Sequence, residues 1–229
     1  MPQGQCTLPA DDAGRVLDRM AGLEQVIRPE PLEQALQATG RVQIRRCTLT
    51  FDVVLWVVLA MGLLTDLPIR QVFKHARRLR PCETSPPSLQ PLRGTATPGR
   101  GAGPAVQLFD QVVRLLATAE TPGAFDRGFR LMGVDGVVLD VPDSAANAAA
   151  FDRPSAGPRG EGAFPQIKKL RLVELGTHVE VAFVLKHSQG DERAMTAALL
   201  RHLRPEMLLL LDRGFFSYEL WQQLQRREV

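Results

Sequence analysis

The chain has 229 residues, 45% hydrophobic and 23% charged, which is enough to build one large core or two modest ones and excludes disorder of the whole chain. A formal net charge of +3 permits a nucleic-acid partner without demanding one. The three cysteines, Cys6, Cys47 and Cys82, are far apart; they exclude a disulfide framework and a paired zinc motif, and they fit a reducing cytoplasm.

Residues 1–80 read as a small all-helical domain. Asp11 or Asp12 is positioned to cap a first helix whose apolar positions include Val16, Leu17, Met20 and Leu23. Pro29 and Pro31 break it, and Pro31 suits the first turn of a second helix with Leu32 and Leu36 on one face. Thr48 or Thr50 is placed to cap an apolar helix over 51–64. Its run VVLWVVLAMGLL spans roughly 18 Å as a helix, short of the ~30 Å hydrocarbon core, so a buried helix is expected and no membrane span. The N-terminus shows no basic-then-apolar signal pattern. Pro68 opens a last helix, IRQVFKHARRLR, which carries Arg70, Lys74, Arg77 and Arg78.

Residues 81–128 form a linker and a short helix. PCETSPPSLQPLRGTATPGRGAGP lacks any helical or strand period. The helix that follows has Val106, Phe109, Val112, Val113 and Leu116 on its apolar face.

Residues 129–229 read as α/β. LMGVDGVVLDV (131–141) is a strand candidate, and residues 142–166, rich in Ala, Gly and Pro, read as a long loop. Two strands follow near 167–175 and 178–186 around a Gly176-Thr177 turn. A helix over 191–203 starts at Asp191, Met207–Leu211 is a short buried strand, and Ser217 caps a final helix. The first three strands make an antiparallel meander. The fourth follows a crossover and is expected parallel beside the first.

Two acidic residues occupy unusual places in that order. Asp135 lies inside the first strand, where strands disfavour Asp, and Asp212 ends the fourth. If those strands are neighbours, both carboxylates reach one end of the sheet. A shared cation relieves their repulsion, and short oxygen ligands suit Mg²⁺ or Mn²⁺. The competing reading for Asp212 is a turn former or helix cap.

The stretches DGVVLDVPDSAANAAAFDRP, GEGAFPQIKKLRLVELGTH and LLLLDRGFFSYELW resemble the DDE-type transposases of the fourth bacterial insertion-sequence family. The resemblance covers residues 129–222 closely and about 10–80 loosely. It implies a helical N-terminal domain followed by an RNase H-like catalytic domain, here an incomplete mixed α/β sheet with helices. It also implies that Asp135 and Asp212 are the first two catalytic carboxylates and the ligands of Mg²⁺ (or Mn²⁺). Val137 stands where the family usually has Thr. The family's third carboxylate is a Glu in a Y-x2-R-x3-E-x6-K pattern, which Tyr218 does not begin because Trp221 replaces the Arg; Glu219 and Glu228 are too close to Asp212. The chain is therefore expected to stop before that Glu.

The implied function is DNA transposition: binding of the double-stranded ends of an insertion element and metal-dependent strand cleavage and transfer, with a homo-oligomer as the working form. The alternative is a non-catalytic remnant that binds DNA or subunits and inhibits a full-length relative. Arg70, Lys74, Arg77 and Arg78 are candidates for docking on end phosphates, and Arg153 and Arg159, in the loop after the first strand, for gripping DNA backbone; a solvated helix face and a floppy loop are the competing readings. DGVVLD also resembles a phosphatase signature, but Gly133 stands where the nucleophilic Asp belongs. An unpaired outer edge on the fourth strand predicts poor solubility.

Overall fold

The computed structural model describes residues 10–41, 50–79, 103–155, 157 and 160–229. They divide into two compact units, residues 1–112 and 113–229.

In the first unit, α1 (Ala10–Val26), α2 (Pro29–Ala38), α3 (Phe51–Leu63), α4 (Ile69–Leu79) and α5 (Pro104–Val112) share one core. The helix α1 begins ahead of Asp11 and Asp12, so both lie within it and neither is its cap. Pro29 and Pro31 fall in the first turn of α2, where a missing N–H loses no helical hydrogen bond. Apolar on nearly every side, α3 is the central helix: Val53, Leu55, Trp56, Val57 and Ala60 are all buried. Thr50 occupies its N-cap position without a side-chain capping bond. Among the described residues no helix is long and apolar enough to cross a membrane. The short helix α5, grouped by its sequence with the linker, packs on α2 through buried Leu108, so the contact boundary falls after Val112.

The second unit is a mixed α/β fold. Its order is β1 (Phe125–Asp126), β2 (Phe129–Asp140), α6 (Ala145–Phe151), β3 (Gln166–Glu174), β4 (Val179–His187), α7 (Glu192–Leu199), β5 (Met207–Leu211) and α8 (Tyr218–Gln225). Strand β2 is the hub. It pairs antiparallel with β3 over residues 132–140 and parallel with β5 over residues 130–134, while β3 pairs antiparallel with β4. The meander and the parallel return strand expected from the sequence are both present, and no described strand pairs with the outer edge of β5.

Two elements differ from the sequence reading. Residues 125–130 form a hairpin whose two turn residues, Arg127 and Gly128, both have positive φ (49° and 89°), as a type I′ turn requires. The 142–166 loop contains α6, an alanine-rich helix whose Ser144 accepts a capping bond from the Asn147 N–H at 3.2 Å. The predicted cap at Ser217 forms, accepting from the Leu220 N–H, and Asp191, expected at the start of its helix, caps it by accepting from the Arg193 N–H.

One face of the sheet is buried. Met132 and Val134 of β2, Leu170 and Leu172 of β3 and Ala182 of β4 form a core with Met195 and Leu199 of α7 and Leu220 of α8. Side chains alternate along a strand, so the residues between these belong to the opposite face.

Candidate active site

Asp135 lies on that opposite face. The register pairs it with Arg171 of β3, and Arg171 in turn with Phe183 of β4. On the other side of β2, the last parallel pair is Val134 with Leu211. Asp212 is the residue directly after β5, as Asp135 is the residue directly after Val134, and its backbone is extended (φ −63°, ψ 150°). One paired row across the sheet therefore runs Phe183, Arg171, Asp135, and Asp212 follows the end of the strand on the other side of β2. The two candidate carboxylates thus each follow the last paired residue of neighbouring parallel strands.

The competing reading of Asp212 as a cap can be compared with its contacts. Asp212 does occupy the N-cap position of a short 3-10 turn, Arg213–Phe215, but its side chain makes no capping hydrogen bond. Its carboxylate is exposed. Asp135 is also open, with 55% of its side chain exposed, and its carboxylate accepts a 2.7 Å bond from the Arg171 guanidinium. That hydrogen bond, with the charges of Asp135 and Glu180, raises Arg171 above the usual arginine range, so it is cationic at every working pH.

Two adjoining carboxylates suit a hard divalent cation that keeps several waters and takes its remaining ligands from substrate phosphate, which is the habit of Mg²⁺. Among the described residues no third His, Cys, Asp or Glu joins them in a metal-binding group. Asp135 and Asp212 are the residues that could hold such an ion.

The basic candidates fall in different places. In α4, Arg70 and Lys74 lie one turn apart and are exposed, while Val72 and Ala76 are buried in the helical core. The side chains of Arg77 and Arg78, and the whole of Arg159, lie outside the described residues. Arg153 is occupied in closing its own loop: it pairs with Asp143 and donates to the carbonyl oxygens of Gly162 and Ala163.

Sequence reading missed Arg171 and the cluster around Glu174. The Glu174 carboxylate has no exposed surface, yet it accepts bonds from the N–H groups of Leu116 (3.1 Å) and Ala117 (2.9 Å), the Thr177 hydroxyl and the Arg130 guanidinium. Arg130 also donates to the Ala117 carbonyl at 3.2 Å and sits over the Phe125 ring. Burial alone pushes the carboxyl up; the hydrogen bonds outweigh it and hold Glu174 below the ordinary carboxylate range. This cluster straps residues 116–117 to the sheet and contains the Glu and Thr of VELGTH.

The insertion element 4 transposase N-terminal family model matches residues 18–93. Over 200 residues the chain is 26% identical to the transposase InsG for insertion sequence element IS4 of Escherichia coli (strain K12), covering 86% of this chain and 44% of that protein. The chain is a relative of the IS4-type transposases. It is also similar to InsZ, a candidate transposase of the same strain, at 24% identity over 208 residues, covering 86% of this chain and 65% of InsZ. The chain thus spans less than two thirds of the length of either IS4-type relative. No solved structure matches it.

Proposed function

We propose that the chain belongs to a metal-dependent DNA transposase and supplies a helical DNA-binding region and the first part of an RNase H-like catalytic domain. One observation supports the reading: Val134 and Leu211, the last paired positions of the parallel neighbours β2 and β5, are followed directly by Asp135 and Asp212. The mixed sheet, with its antiparallel meander followed by a parallel return strand, supports the RNase H-like assignment. The IS4-type relatives support transposition as the process.

In this reading Asp135 and Asp212 hold Mg²⁺ or Mn²⁺ against a DNA phosphodiester. The ion, when bound, supplies Lewis-acid stabilisation of the oxygens that attack and leave. The two carboxylates fix its position, and the open face of the sheet admits a duplex backbone. Arg70 and Lys74 provide exposed positive charge for the phosphates of the element ends, an interaction that weakens as salt rises. The working form is an oligomer in the cytoplasm.

The Arg171–Asp135 ion pair favours a second reading, because it already satisfies the charge of one carboxylate. The chain is then a DNA- or subunit-binding protein that does not cut. The test is Mn²⁺-dependent nicking of a duplex carrying the element's ends, beside binding of the same duplex by gel shift. Catalysis predicts nicking that Asp135→Asn and Asp212→Asn each abolish while binding persists. Binding without nicking, unchanged by either substitution, selects the second reading.

A further inference from the structure

We propose that Arg171 is a built-in counter-ion that occupies the cation position at Asp135 and yields it only when a phosphodiester draws the guanidinium away, so that metal binding and DNA binding are coupled. The inference rests on the metal-site reading of Asp135 and Asp212.

The pairing of Arg171 with Asp135 places a positive charge directly beside one of the two candidate carboxylates. A divalent ion entering that site meets a like charge and must compete for the same Asp135 oxygens. The pair is easily exchanged: Arg171 is 41% and Asp135 55% exposed, and one 2.7 Å contact joins them. Exposed pairs of this kind contribute little net stability. The Nε–H of Arg171 is buried with no hydrogen-bond partner, so the present seat of the guanidinium leaves one of its donors uncompensated and is not its optimal one. A guanidinium grips phosphate in a two-pronged way that a carboxylate-bound ammonium cannot match. Lys169, the nearest other cation along β3, is held by Glu180 at 2.8 Å and lies over the Phe183 ring at 5.3 Å, so it does not replace Arg171.

The test is Mn²⁺ binding to the full chain, followed by electron paramagnetic resonance of the free ion at fixed ionic strength. Arg171→Gln should bind Mn²⁺ roughly fivefold more tightly than the unaltered chain, the factor expected from removing one like charge at a solvated site. Arg171→Lys should restore the weaker binding. Dimethyl phosphate, a minimal phosphodiester, should tighten Mn²⁺ binding in the unaltered chain and leave Arg171→Gln unchanged. Equal affinity in the unaltered chain and Arg171→Gln, with binding still lost in Asp135→Asn, overturns the counter-ion role and leaves the metal site standing. Weaker binding in Arg171→Gln, with an unchanged melting curve, overturns it too. No Mn²⁺ binding in any variant overturns both the counter-ion and the metal site it serves.

Discussion

Two arginine–carboxylate pairs bridge the same two strands and serve opposite ends. Arg130 of β2 meets Glu174 of β3 in a cluster whose carboxylate is fully buried; Arg171 of β3 meets Asp135 of β2 on an open face only three residues away. Glu174 accepts from two backbone N–H groups, a hydroxyl and a guanidinium, so its charge is completely compensated. Asp135 accepts from one guanidinium and keeps the rest of its coordination for solvent or a ligand. Identical chemistry therefore becomes structural where water is excluded and exchangeable where it is not.

The sharpest way to break that contrast is to remove each carboxylate in turn. Glu174→Ala leaves Arg130 and two backbone N–H groups without their acceptor in a buried place, and should cost about 3–5 kcal/mol in urea denaturation. Asp135→Asn should change stability by at most about 1 kcal/mol, because its partner remains solvated. Comparable losses for the two would erase the distinction.

Acid sharpens it further. Glu174 has a depressed folded pKa, so its stabilisation is fully present above the unfolded value of ~4.3 and is lost as pH falls through the lower folded value. Melting temperature should therefore drop steeply below about pH 4 in the unaltered chain, following that carboxylate. The same scan in Glu174→Gln should start lower and fall less. A parallel fall in both would mean that Glu174 does not govern the acid limb.

A smaller effect is expected at the turn that leads out of the buried cluster. A Cβ on Gly176 would lie 2.3 Å from the Ala124 Cβ and 2.6 Å from its Cα, against backbone that cannot give way cheaply. Gly176→Ala should cost about 1–3 kcal/mol, read from the denaturation midpoint. At Gly136 the nearest atom to a new Cβ is 3.5 Å away on Leu170, so Gly136→Ala should be nearly neutral and serves as the control.

Much of this architecture was readable in the residues. The strands, their meander and the parallel return followed from β-branched runs and from a crossover helix that starts at Asp191, because those signals are local. Asp135 stood out because an acid inside an apolar strand needs a reason. The partners did not stand out. Arg171 faces Asp135 only through a register set across the long 142–166 excursion, and no turn rule fixes that register. The hairpin at 125–130 was missed because its first strand has two residues, and α6 because alanines between prolines look like loop. Glu174 carries no local signal of its role, since its donors Leu116 and Ala117 lie far back in the chain.

The central claim is that Asp135 and Asp212 are neighbours across β2 and β5. The direct measurement is oxidative cross-linking of the Asp135→Cys/Asp212→Cys double variant, with Cys6, Cys47 and Cys82 changed to Ser. Adjacent strand positions fall within the Cα separation that a disulfide tolerates, about 4.4–6.8 Å. Both thiols should be lost rapidly within one molecule under mild oxidant, with Asp140→Cys/Asp212→Cys staying reduced under the same conditions. Persistent free thiols in the first pair, or cross-links only between molecules, would contradict it.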